Sequence, residues 1–245
     1  MKHTHDNTAT NKKLCIHHHL GLGDHFDCNG MVRFLLEEGS SDKVYVFSKS
    51  NSFNIIEYMY QDEDKIEVIK IDKEGNEYSQ VNSFLKSAQP LQFLRVGFDQ
   101  YPSDTEASEN KNCWEYFYEQ VQIPYNVRTD YFYVERDEGA EAQLLQDLNP
   151  TNAPYIFLHD DAERGYNINT DKVTDGYHVI RNDNTKNIFH FIKVLENAEE
   201  IHCMESSFKT LIDIYAKTAN LYYHDFRGHP LGERTNRKWN IVSYA

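Results

Sequence analysis

The stretch KLCIHHHLGLGDHFDCNGMVRFLLEEG, from Lys13 to Gly39, decides the fold of this chain. Its opening residues Lys13-Leu14-Cys15-Ile16-His17-His18-His19-Leu20 read as a short strand of mixed character. Gly21-Leu22-Gly23-Asp24 follows as a glycine turn. From Asn29 onward, Met31, Phe34 and Leu35 recur at helical spacing, and Gly39 stops the helix. Strand, glycine loop and helix in that order form the opening unit of a parallel α/β sheet.

The same rhythm continues on both sides of a linker. Strands are expected over 43–47, 66–71 and 91–97, with helices over 51–60, 113–121 and 138–148. The acidic stretch 101–112 reads as an exposed loop, and residues 1–7 as a disordered lead-in. Asn149-Pro150-Thr151-Asn152-Ala153-Pro154 carries two prolines and two asparagines, the composition of a linker. Beyond it, strands are expected over 155–159, 177–181, 200–204 and 221–224, with helices over 187–196 and 206–215. The plan is two α/β halves joined near residue 150.

Composition narrows the class. Hydrophobic residues make up 40% of the 245 and aromatic residues 13%, enough for a packed core. The formal net charge of −14, from 39 acidic and 25 basic side chains, repels nucleic acid over most of the surface. No apolar run reaches the ~18 residues of a spanning helix, and residues 1–7 lack the apolar core of a secretory signal. A cytoplasmic protein is expected, with Cys15, Cys28, Cys113 and Cys203 as reduced thiols, because none has CxxC spacing.

Three segments carry candidate chemistry. Gly21-x-Gly23-Asp24 places a carboxylate just past the first strand, on the edge where open α/β sheets bind ligands. It lacks the third glycine of a dinucleotide fingerprint, since His25 and Phe26 follow Asp24. His159-Asp160-Asp161-Ala162-Glu163-Arg164 follows a strand in the second half, and Arg164 has the fork geometry for a phosphate. In Met204-Glu205-Ser206-Ser207-Phe208-Lys209 a strand ends and a helix begins. Serine hydroxyls, free N–H groups and the positive end of the helix dipole suit a diphosphate there. The histidine triplet adds a metal reading: His17 and His19 share one strand face, with His25 and Asp27 close behind in sequence.

His19-Leu20-Gly21-Leu22-Gly23-Asp24, with Cys28-Asn29-Gly30 and Arg33, resembles the first loop and helix of small heptosyltransferase-like and fucosyltransferase-like glycosyltransferases. The run from Ile201 to Phe208 resembles the donor-phosphate segment of the same GT-B class. The resemblance implies two Rossmann-like halves facing each other across a cleft. It assigns 1–149 to the acceptor side and 150–230 to the nucleotide sugar. Residues 231–245 would pack back on the first half through Trp239 and Ile241. It implies sugar transfer from a nucleotide sugar to a glycan hydroxyl, with inversion, without metal or cofactor, and with Asp24 as base. Gly21, Gly23, His25, Asn29 and Arg33 would shape the acceptor loop. His159, Asp161, Arg164, Glu205, Ser206, Ser207, Phe208 and Lys209 would hold the donor. Two other readings stand beside it: a metal-dependent hydrolase using His17, His19, His25 and Asp160-Asp161, and a non-catalytic nucleotide-sugar binding module.

Overall fold

The computed structural model describes residues 12–39, 41–98, 113–170, 176–226 and 237–244. The acidic stretch 101–112, the lead-in and the first part of the expected C-terminal segment, 231–236, lie outside them. Two compact units emerge, one made of Met1–Leu20, Cys28–Gln100 and Phe117–Tyr133, the other of Gly21–Asp27, Tyr101–Tyr116 and Val134–Ala245. The chain passes from the first unit to the second for the last time at Val134. Residues 149–153 form a tight turn instead of a linker: buried Asn149 donates to the Ala153 carbonyl at 2.9 Å and accepts from its N–H at 3.2 Å.

In the first unit, β1 (Lys13–His17) is buried at Leu14, Cys15, Ile16 and His17. A strand covered on both faces needs apolar residues at consecutive positions, which is what this run supplies. α1 (Leu22–Glu37) follows, then β2 (Lys43–Lys49), α2 (Phe53–Met59), β3 (Ile66–Ile71), α3 (Glu77–Ala88), β4 (Gln92–Arg95), α4 (Cys113–Gln120) and α5 (Val127–Asp130). The sheet has the order β3-β2-β1-β4, all parallel, with Ile16 opposite both Val46 and Leu94. Cys15, Tyr45, Phe47, Ile71 and Val81 pack on one face of it, with Phe84 and Leu85 of α3 against them. α3 goes beyond the sequence expectations. Its start is fixed by Asn76, whose side chain accepts from the Ser79 N–H at 2.8 Å.

The second unit contains α6 (Glu138–Leu148), β5 (Tyr155–His159), β6 (His178–Arg181), α7 (Ile192–Asn197), β7 (Glu200–Cys203), α8 (Ser207–Tyr215), β8 (Leu221–Asp225) and β9 (Asn240–Ser243). The helix expected over 187–196 is split, its first part being a 3-10 turn at Ile188–Phe191. The order is β6-β5-β7-β8-β9, again wholly parallel. β9 corrects the expectation for the C-terminal segment. It extends the second sheet beside β8, with Ile241 opposite Tyr223, and buried Trp239 packs edge-on against Tyr223. The indole N–H of Trp239 donates to Asp213 at 3.0 Å. A buried hydrogen-bonded row crosses this sheet: Glu200, His202, His224 and Tyr244 are joined at 2.7, 2.8 and 2.6 Å.

Glycine has a packing role on α1. A Cβ at Gly30 would lie 2.3 Å from the Val127 carbonyl oxygen and 3.0 Å from that of Arg128, so α1 and α5 approach too closely for any side chain. Both obstacles are backbone and cannot rotate away. Gly30→Ala is therefore expected to destabilise the protein by about 1–3 kcal/mol, despite alanine's better helix propensity. An unchanged urea midpoint would refute this packing account.

Candidate active site

α1 begins at Leu22, so Gly23, Asp24 and His25 form its first turn instead of a free loop. The His25 N–H donates to the Gly21 carbonyl at 3.1 Å, and Asp24 carries negative charge where the helix dipole favours it. The half-buried Asp24 carboxylate is positioned from two sides. Trp114 Nε1 donates to Asp24 Oδ1 at 3.1 Å, and Oδ2 lies where a Cβ on Gly21 would be, at 2.6 Å from that position. Gly21 is thus required because the carboxylate folds back over it. Trp114 is a partner that the sequence reading missed, since nothing in the spacing links residues 90 apart.

The next residues fasten this turn to α8 within the second unit. Asp27 is fully buried and accepts from Thr210 Oγ1 at 3.3 and 3.4 Å. Phe26 stacks on Phe189 with centroids 5.0 Å apart. Gly23 comes so near the start of α8 that a Cβ there would be 3.9 Å from the Ser207 amide nitrogen. The turn bearing Asp24 and the N-terminus of α8 are therefore neighbours.

At that N-terminus Ser206 is the extended N-cap residue, with φ −169° and ψ 176°, and its hydroxyl makes no capping bond. Its Oγ lies 3.9 Å from the Cys203 sulfur, and Glu205 sits half-buried beside it. Two other members of the expected donor set are used otherwise. Phe208 is core, packed 4.5 Å from the His159 ring and 5.4 Å from both Phe157 and Phe191. Lys209 is buried, its Nζ donating to Asp213 one turn on at 2.8 Å and lying over the Trp239 ring. Its charge is neutralised internally.

The β5 end divides in the same way. His159 is buried, and desolvation pushes its imidazole down to about 4. Asp160 accepts from Arg181 at 2.8 Å and from the Ile168 N–H at 3.0 Å. Asp161 caps the short 3-10 turn Ala162–Arg164 and pairs with Arg164 at 3.0 Å, leaving the arginine side chain 72% exposed. Asn29, Arg33 and His25, expected in the acceptor loop, have these surroundings. Asn29 and Arg33 belong to the first unit, where Asn29 binds the backbone of Tyr133 and Arg33 binds Asp62 and the Met59 carbonyl. His25 is fully buried. The histidine triplet also separates chemically: His17 bonds Glu77 at 2.9 Å, and His19 packs against Phe98 and Phe117. Among the described residues no three His, Cys, Asp or Glu side chains converge as a metal site. Nor is any helix among them long and apolar enough to cross a membrane.

No known protein-family profile and no curated protein sequence matches this chain. Solved structures do. The glycosyl transferase family 9 protein from Veillonella parvula DSM 2008 superposes with a TM-score of 0.58 at 8% identity, over 95% of this chain and 86% of that one. The E. coli ADP-heptose lps heptosyltransferase II superposes with a TM-score of 0.53 at 10% identity, over 94% and 90%. The fold is of the GT-B type. At such identities the likeness concerns the fold alone, and its solved neighbours are glycosyltransferases.

Burial of His159 has a consequence for acid stability. The folded imidazole titrates near 4 and the unfolded one near its ordinary 6.5, so between these values the unfolded chain binds more protons. This contribution to stability is present above pH 6.5 and is lost as pH falls towards 4. His18, also pushed down to about 4 by burial, adds a second such loss. In denaturation titrations at pH 7 and pH 4.5, His159→Gln should narrow the gap between the two pH values without abolishing it. An undiminished gap would show that His159 is not its source.

Proposed function

We propose that the chain is a glycosyltransferase moving a sugar from a nucleotide-sugar donor to a hydroxyl of a glycan acceptor, with Asp24 as general base. The observation that carries the reading is the closeness of Gly23 to the Ser207 amide, which sets a half-buried carboxylate beside a helix N-terminus. The glycosyltransferase identity of the structural neighbours supports it.

In this reading, the Asp24 carboxylate accepts the proton of the acceptor hydroxyl as its oxygen bonds to the anomeric carbon. The bond from that carbon to the diphosphate oxygen breaks, and the nucleoside diphosphate departs on the opposite face, so the configuration inverts. Trp114 orients the carboxylate, and Gly21 leaves room for it. Charge growing on the diphosphate is met by the N–H groups of α8, its dipole and the Ser206 and Ser207 hydroxyls, with no metal required. Arg164, on a short turn and 72% exposed although paired with Asp161, is a cation placed to reach a phosphate. Lys209 is excluded from that role by its pairing with Asp213.

Asp24→Asn keeps the shape and removes the base. Transfer should fall by about 10²–10⁴-fold, the usual worth of a general base, with nucleotide affinity unchanged by calorimetry. Ser206→Ala should do the reverse and weaken nucleotide binding. Unchanged turnover in Asp24→Asn sinks the assignment.

A further inference from the structure

We propose that a groove on the first unit, distinct from the Asp24 turn, binds a neutral glycan. The groove has a volume of ≈ 890 Å³ and is formed by the C-terminal end of α1, the segments entering β2 and β3, and Asp130–Tyr133. Ser41 and Asp42 precede β2, and Glu63 and Lys65 precede β3, so these linings gather at the amino ends of parallel strands. The turn bearing Asp24 follows the carboxyl end of β1.

The floor is an aromatic run, Tyr131-Phe132-Tyr133, and its rigidity is built in. Fully buried Asn29 clamps the backbone of Tyr133, its Oδ1 accepting from the N–H at 3.0 Å and its Nδ2 donating to the carbonyl at 3.2 Å. One turn along α1, Arg33 is locked by both oxygens of Asp62 at 2.8 and 2.9 Å. Its guanidinium lies 5.1 Å from the Tyr133 ring centroid and 5.5 Å from that of Tyr60. Tyr131 packs edge-on to Phe34 at 5.1 Å. A buried amide and a half-buried ion pair thus hold a tyrosine that remains 50% exposed. An exposed ring fixed in this way suits a platform for a partner.

The lining chooses the partner. An electron-rich ring face attracts the polarised C–H groups of a pyranose ring. Around it Ser41 and Lys65 donate while Asp42, Glu63 and Asp130 accept, which matches hydroxyl groups that do both. Carboxylates outnumber cations, and Arg33 is already paired, so phosphorylated or uronate sugars are repelled. Lys65 is the lining cation that Asp62 does not hold, and four carboxylates line the groove with it, so a lysine-rich peptide is the competing occupant that the titration tests.

Calorimetric titration of the full chain with maltotetraose, cellotetraose, mannotetraose and chitotetraose tests the proposal. At least one should bind saturably, and a tetragalacturonate should not. Tyr133→Ala and Tyr133→Leu should weaken binding by about tenfold or more, the loss expected for a central aromatic anchor, whereas Tyr133→Phe should keep it. The leucine variant retains bulk over Arg33 and guards against a folding defect. Absence of binding by all four neutral sugars overturns the proposal. So does equal binding by the Tyr133 variants, tighter binding of the uronate, or saturable binding of a lysine-rich peptide in place of any sugar. Binding alone is measured, so failure here leaves the Asp24 reading untouched.

Discussion

Both sheets are wholly parallel, and a parallel strand must be re-entered from the same end each time. Every carboxyl end then opens onto one edge and every amino end onto the other, whatever the loops contain. In the second unit this brings His159–Asp161 and Glu205–Ser207 to a common edge, because β5 and β7 are direct partners with His159 opposite Cys203. In the first unit it gathers Ser41, Asp42, Glu63 and Lys65 at the opposite type of edge. Strand direction alone sorts the polar residues into two places with different chemistry.

Burial of charge sets the next limit. Asp213 is held by Lys209 and Trp239, while Arg136 binds Glu141 and Glu196 with both arms of its guanidinium. A buried ion without its partner costs several kcal/mol, so these side chains are committed to the fold. The commitment of Lys209 matters most. In the proposed reaction it leaves helix geometry and hydroxyl groups, in place of the lysine charge, to meet the diphosphate.

Much of the architecture was legible because a fully covered strand writes itself as an apolar run and a half-covered one as an alternation: Tyr155–His159 and Ile66–Ile71 were expected with these bounds. α3 was not, because its sequence EYSQVNSFLKSA is half polar and buries fully only Val81. β9 escaped for a related reason, since an edge strand of four largely exposed residues has no apolar signature. In the candidate site, positions could be read from the sequence and contacts could not. Asp24, Ser206 and Ser207 follow from strand–turn–helix order. Trp114, Thr210 and the clamp of Asn29 on Tyr133 depend on contacts across about 90, 183 and 104 residues, which no local pattern records. Arg33, close in sequence to Asp24, is held by Asp62 and the Met59 carbonyl, contacts that the motif does not record either.

The row from Glu200 to Tyr244 has a polarity. Facing a carboxylate, His202 carries its proton on Nε2, so its Nδ1 must accept from His224 Nε2, and His224 Nδ1 must accept from the Tyr244 hydroxyl. Desolvation lowers the affinity of His202 for a second proton and preserves this single arrangement. One carboxylate thereby dictates the tautomers of two rings and the rotation of a hydroxyl three partners away. Tyr244, just past β9, is thus joined to the middle of the sheet by information as well as by contact: a carboxylate on β7 sets the direction of each bond in the row.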